Sequence, residues 1–208
     1  MHKSYIVLTS AAVAALALTF SGCGGSKPKS ELEKMVDDMV DPETAVTKYE
    51  LAAKIKRDFG GEAIPVILEA TYNAKMKEKG YSPDHAYSLV LIQIEAEPER
   101  LNACKAILFG DEKHKPHANK NVRMAAVEGL TFAKSTEEGL KIAVDLAKNS
   151  PDRWVKATAL RAISYAWNPK YDAEICTILR RATSDPDQNV REHAQRGLDR
   201  RREKNGCR

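Results

Sequence analysis

The residues with most chemistry to offer sit in two places. His114 and His117, separated by Lys115 and Pro116, stand beside Asp111 and Glu112 in the polar stretch 110–120. Two imidazoles and two carboxylates could ligate Zn²⁺ or another transition metal. Pro116 breaks helical geometry between the histidines, however, and no third imidazole is predictable nearby. The stretch therefore reads as a solvated connection, and no metal is expected. Trp154, Tyr165, Trp167 and Tyr171 form the second group. Exposed tryptophans anchor interfaces, while packing across a helix turn accounts for the same residues without a partner. Trp154, Trp167 and Tyr171, with Arg196 and Arg200 from the basic C-terminal stretch, are the candidate protein-binding residues. No G-x-S-x-G, H-E-x-x-H, phosphate-binding glycine loop or C-x-x-C occurs, so no catalytic residue and no cofactor is expected.

Of the four cysteines, Cys23 stands apart from Cys104, Cys176 and Cys207. Cys176 and Cys207 are the pair on adjacent elements. On a straight final helix, Cys207 would lie about ten residues, roughly 15 Å, beyond the region facing Cys176. A bridge requires the tail to fold back until the α-carbons are within about 7 Å. Cys104 and Cys176 are expected to fill core as small hydrophobes.

Cys23 belongs to an address. His2 and Lys3 are followed by the uncharged run Ile6 to Phe20 and by the small residues Ser21 and Gly22. A basic start, a short apolar segment and a small-residue cleavage site make a secretory signal over residues 1–22. Fifteen apolar residues fall short of the ~30 Å hydrocarbon thickness of a bilayer. Phe20-Ser21-Gly22-Cys23 resembles the lipobox of bacterial lipoproteins, with Phe20 in place of the usual Leu. The resemblance implies diacylglycerol on the Cys23 sulfur, cleavage before it and acylation of the new N-terminus, giving stable membrane anchoring. Residues 23–30 then hold the lipidated cysteine and a flexible tether. Cleavage leaves 186 residues, and because Lys3 is the one charged side chain removed, the net charge falls from +4 to +3.

The rest of the chain, 31–208, repeats. Val122-Arg123, Val155-Lys156 and Val190-Arg191 are each followed by Ala four residues after the valine and by an aliphatic residue eight after it. Positions 0, +4 and +8 share one face of a helix. Amphipathic stretches over Ser135 to Lys148 and Tyr171 to Ala182 follow the first two, the former opening with Ser135 and Glu138 at capping-box spacing. Asp41-Pro42, Ser82-Pro83 and Ser150-Pro151 mark helix starts and Gly60, Gly80 and Gly110 mark stops. The pattern predicts helix pairs at 42–59/62–79, 83–95/98–109, 121–133/136–148 and 151–166/169–182, then a last helix over 187–204. This is an all-α, right-handed α-solenoid of about four to five helix pairs.

Asp185-Pro186-Asp187-Gln188-Asn189-Val190-Arg191 resembles the start of a HEAT-like repeat of the phycobilisome-lyase type; Asn119 to Arg123 and Pro151 to Lys156 match less fully. The resemblance covers 119–204 well and 42–109 loosely. It implies that the basic residue after Val pairs with an acidic turn residue of a neighbouring repeat, and that stacked repeats present a long surface to partners.

The 33 Lys+Arg and 29 Asp+Glu nearly balance, which argues against a strongly cationic nucleic-acid binder. Charge is instead blocked, acidic over 31–43 and basic over 190–208. The two blocks read as polar caps on the terminal repeats or, for the basic one, as a contact for an anionic surface. The expected function is a non-enzymatic, lipid-anchored scaffold of the cell envelope, on the outer membrane where the organism has one, binding an envelope protein and no nucleic acid. The alternatives are a HEAT-like lyase or chromophore-handling enzyme related to bilin lyases, and a DNA-binding solenoid like the HEAT-like alkylation-repair glycosylases.

Overall fold

Val122, Val155 and Val190 are buried, and so are the three alanines at +4, which are 0% exposed, and Leu130, Ile163 and Leu198 at +8. These three rows are the seam along which the helices meet. The computed structural model describes residues 30–39, 48–74, 83–132, 136–204 and 206–207. Ten α-helices stand among them: α1 (Glu31–Asp38), α2 (Lys48–Asp58), α3 (Ala63–Asn73), α4 (Pro83–Leu91), α5 (Glu99–Phe109), α6 (Lys120–Gly129), α7 (Glu137–Asn149), α8 (Arg153–Tyr165), α9 (Asp172–Ala182) and α10 (Gln188–Glu203). No strand occurs among the described residues. Helices α4, α6, α8 and α10 pack successively in one layer, with α3 against α5 and α7 against α9 in the other, an α-solenoid.

Each expected helix from α2 onward has a counterpart, but α3 and α4 stop short: α3 ends at Asn73 instead of 79, where Ala74 is extended, and α4 ends at Leu91 instead of 95, where a turn follows. The signal segment 1–22, Cys23, the tether to residue 29, Asp41-Pro42, Gly80, Ser82 and Ser135 lie outside the described residues. The starts of α7 and α8 differ from expectation. Thr136 caps α7 by accepting from the Gly139 N–H at 3.1 Å. Asp152, not Ser150, caps α8, because its carboxylate reaches two backbone N–H groups. The acidic block 31–43 contains a helix. In α1, Ser30 and Glu33 form a reciprocal capping box, and Leu32, Met35, Val36 and Met39 are buried where the helix lies on α3.

The sequence pairs helices within each repeat, whereas packing is extensive between α5 and α6, α7 and α8, and α9 and α10, and sparse between α8 and α9. The cause lies at +7, where the residues are Gly129, Ala162 and Gly197. A Cβ on Gly129 would stand 2.7 Å from Cys104 Sγ of α5, and one on Gly197 2.9 Å from Leu179 Cδ2 of α9. The small residue lets the preceding helix close on the seam. Two buried arginines finish helix ends. Arg100 is held by Glu97 Oε1 (2.5 Å) and the Phe132 carbonyl (3.3 Å). Arg201, 0% exposed, donates to Asp172 (3.0 Å) and to the carbonyls of Ile163 (3.0 Å) and Ala166. Arg201 also meets the negative end of the α8 dipole.

Cys176 is not a free core thiol. It is bonded to Cys207, with the α-carbons 5.5 Å apart. The straight-helix estimate fails because α10 ends at Glu203 and the chain turns back, the Gly206 N–H donating to the Arg201 carbonyl at 2.7 Å. Cys104 remains a free, buried thiol, pushed up to about 12 by burial.

Candidate interaction surface on the repeat edges

Helices α6, α8 and α10 expose two edges. At their N-terminal edge the residue at −3 caps each helix: Asn119, Asp152 and Asp187 each accept from backbone N–H groups of the first turn. The cation at +1 reaches forward. Arg123 Nη2 donates to Asp152 at 2.6 Å and Lys156 Nζ to Asp185 at 2.6 Å, while Arg153 donates to Asp187 at 3.3 Å. Arg123 Nη1 also donates to the carbonyls of His117 (2.6 Å) and Ala118 (2.8 Å) in its own turn. Arg191 Nη1 does the same to Asp185 and Pro186, both at 2.8 Å. Burial pushes the Asp152 carboxyl up, but Arg123 and the N–H groups of Trp154 and Val155 outweigh it and hold it below the usual carboxylate range. Asp185 is lowered against the same opposing burial by Lys156 and the Asp187 N–H. Trp154 belongs to this edge, half-buried with Lys120 Nζ 4.2 Å and Arg153 Cζ 5.0 Å from its ring centroids.

The C-terminal edge is built from +6 and +10. Position +6 holds Glu128, Arg161 and Arg196; position +10 holds Phe132, Tyr165 and Arg200. Glu128 and Arg161 form an ion pair. Beside it Phe132 and Tyr165, with Thr131 and Ala162, line an open groove of about 390 Å³. Phe132 is 40% exposed, Tyr165 58% and Trp167 44%. The Arg200 guanidinium lies 3.8 Å from the Tyr165 ring centroid and donates to Ser164 Oγ at 2.8 Å. Trp167 carries Arg201 at 4.7 Å and Lys204 at 5.7 Å. The bridged tail lies against it, since a Cβ on Gly206 would meet the ring at 2.8 Å.

The five candidate residues are thus dispersed. Trp167 and Arg200 share the C-terminal edge, with the exposed Arg196 one turn back from Arg200 on α10 and 3.5 Å from Glu192. Trp154 sits at the opposite edge. Tyr171 is buried, its hydroxyl donating to Glu137 at 3.3 Å. Phe132 and Arg161 went unnoticed in the sequence. Their signal is the repeat register itself, which places them in the +10 and +6 rows.

The histidine stretch is a largely exposed loop, as expected, in which His114 and His117 are partly covered by contacts to Tyr72. The His114 ring is stacked on Tyr72 with centroids 4.2 Å apart, its nitrogens 3.1 Å from Asp111 and 3.2 Å from Glu69. His117 tilts against the same ring and lies 3.4 Å from the Thr71 carbonyl. Tyr72 is pushed up to about 12 by burial and then by Asp111. The two carboxylates occupy opposite ring nitrogens and do not converge on one point. Among the described residues no three His, Cys, Asp or Glu side chains could hold a metal ion, and no helix is long and apolar enough to cross a membrane.

No family model matches the chain, and no curated protein matches it. Among solved structures, a designed armadillo repeat protein is similar to it at 16% identity with a TM-score of 0.31, over 82% of this chain and 99% of its own.

Proposed function

We propose that this chain is a lipid-anchored scaffold of the cell envelope that docks a protein partner on the C-terminal edge of its repeats. The observation that carries the docking half is the exposed row of Phe132, Tyr165 and Trp167 among Arg161, Arg200 and Lys204, since aromatic and arginine side chains are the preferred anchors of protein interfaces. The anchoring half rests on the signal-like start and Phe20-Ser21-Gly22-Cys23. The Cys176–Cys207 bridge supports it, because such bonds persist in oxidising compartments. Acyl chains on Cys23 would confine the solenoid to the membrane surface and raise its effective concentration near envelope partners. The chromophore-handling alternative calls for a proton-transferring group in a recess. In a larger groove of about 440 Å³ the carboxylate is Asp185, ion-paired with Lys156 and held ionised, which favours docking.

The test is crosslinking and affinity capture of the tagged chain from intact cells beside a Cys23→Ser control, with fractionation and fatty-acid labelling. The expected result is an acylated, membrane-bound chain with a defined set of envelope partners, all lost in the control. A Cys23→Ser chain that stays in the membrane fraction and keeps its partners overturns the anchoring half.

A further inference from the structure

Three features of the C-terminal edge constrain what it can hold. The first is charge. Arg161, Arg196 and Arg200 occupy the +6 and +10 rows; Arg161 pairs with Glu128 and Arg196 with Glu192, while Arg200 lies over the Tyr165 ring. Arg200 is pre-ordered by its stacking on Tyr165 and its bond to Ser164, so little rotamer freedom is lost when it meets a carboxylate. The second is the groove of about 390 Å³ walled by Phe132 and Tyr165 and open to solvent, with the Glu128–Arg161 pair and Thr131 also in its lining. The third is spacing. The slot lies between α6 and α8, and Arg200 belongs to α10, the next helix of the layer. The Arg200 guanidinium lies 3.8 Å from the centroid of the Tyr165 ring that walls the slot, one ring beyond its lining, and an extended chain advances about 3.3 Å per residue, so the two features match side chains about two to three residues apart.

We propose that this edge binds an extended protein segment in which an aromatic or large aliphatic side chain precedes or follows a carboxylate by two to three residues. The apolar side chain enters the slot between Phe132 and Tyr165, and the carboxylate pairs with Arg200. The inference rests on the docking half of the proposed function and is independent of anchoring. A protein segment fits better than an anionic membrane. Glu128 and Glu192 lie among the cations and would face headgroup phosphates, and Arg200 and Lys204 are folded down over rings instead of projecting to a plane.

The test uses the full chain in nanodiscs of neutral phosphatidylcholine. A fluorescein-labelled nine-residue peptide with Phe and Asp three positions apart in a Gly/Ser host is titrated by anisotropy, beside the Asp→Asn and Phe→Gly peptides. Separately, the nanodiscs are sedimented with phosphatidylglycerol vesicles. Expected is salt-sensitive peptide binding that weakens about tenfold or more, at least 1.4 kcal/mol, in either control peptide and in Arg200→Gln and Tyr165→Ala. Arg200→Lys should recover part of the loss. Arg202→Gln, whose side chain pairs with Asp199 on α10, should leave binding unchanged. Binding that ignores the peptide's Asp, or persists in Arg200→Gln and Tyr165→Ala, overturns the proposal. So does Arg200-dependent sedimentation with vesicles in the absence of peptide binding, which would make the edge a lipid contact. An acylated, membrane-bound chain that binds no such peptide refutes this inference and leaves the anchoring reading standing.

Discussion

The two edges of α6, α8 and α10 are made by the same repeats and do opposite things. At the N-terminal edge the +1 cations of α6 and α8 find an acid from the next repeat, and the −3 residues cap helices, so the rows close on themselves. At the C-terminal edge the +10 row carries Phe132, Tyr165 and Arg200, and ring and guanidinium face solvent together. A row of closed pairs fixes how one repeat sits on the next. The C-terminal edge also carries contacts between repeats, Glu128 with Arg161 and Arg200 with Ser164, but its rings stay exposed and are left to meet something else. The division is blurred further at one place, where Arg201 and the bridged tail make part of the C-terminal edge structural.

That place should give the largest effect. Arg201→Leu strips Asp172 and the Ile163 and Ala166 carbonyls of their donor in a buried setting. The Nε of Arg201 is itself buried with no hydrogen-bond partner among the described residues, so the arginine is not fully satisfied. Breaking a buried pair by removing one partner costs about 3–5 kcal/mol, and the lower part of that range is expected from the urea midpoint followed by circular dichroism. A loss under about 1 kcal/mol would move Arg201 to the open, non-structural class. Next comes the tail. With Cys176 and Cys207 separated by 31 positions, reduction or Cys207→Ala should lower stability by about 3–4 kcal/mol on the chain-entropy account and shift the Trp167 emission, because the tail leaves its ring. Cys104 is buried, so a reductant should act on the bridge alone.

A smaller effect tests the N-terminal edge. Asp152→Asn keeps a capping side chain and removes the charge that Arg123 meets. A loss of about 1 kcal/mol is expected at pH 7. The folded Asp152 carboxyl lies below its ordinary value, so its contribution is present above the unfolded pKa of about 3.9 and disappears as pH falls through the lower folded value. Urea midpoints of wild type and variant should therefore differ at pH 7 and converge as the pH falls below about 3.9. A gap that survives at low pH would mean that the pair acts through shape, not charge.

What the sequence shows and hides follows from how local each signal is. The rows 0, +4 and +8 are helical periodicity within nine residues, so the solenoid and nearly all its helices are readable from them. Leu32, Met35, Val36 and Met39 carry the same period over α1 and its C-cap, but Glu31, Glu33, Asp37 and Asp38 around them make the segment's charge its stronger local signal. The Cys176–Cys207 bridge depends on a reversal after Glu203 that Gly206 and Trp167 decide by contact across 39 residues of chain. The histidine stretch is an exposed loop as read, but the stacking of His114 on Tyr72 within it is tied to no local pattern. The C-terminal edge is a case between: Phe132 and Arg161 lie in register with Tyr165 and Arg196, but which rows face outward follows only from how α6, α8 and α10 pack.

The smallest stability effect carries the comparison furthest. Tyr165 stands at +10 of α8, one row from buried Ile163, and is 58% exposed. Its ring supports the Arg200 guanidinium of α10 and walls the groove, a contact between repeats made at an exposed site. Tyr165→Ala should therefore change the urea midpoint by no more than about 0.5 kcal/mol, while Ile163→Ala, two residues away and 0% exposed, should lose about 2–5 kcal/mol. The pair separates the two functions of one helix end. If Tyr165→Ala destabilises the fold by more than about 1 kcal/mol, its ring and Arg200 are part of what holds α10 on α8, and the C-terminal edge differs from the N-terminal one in chemistry but not in purpose.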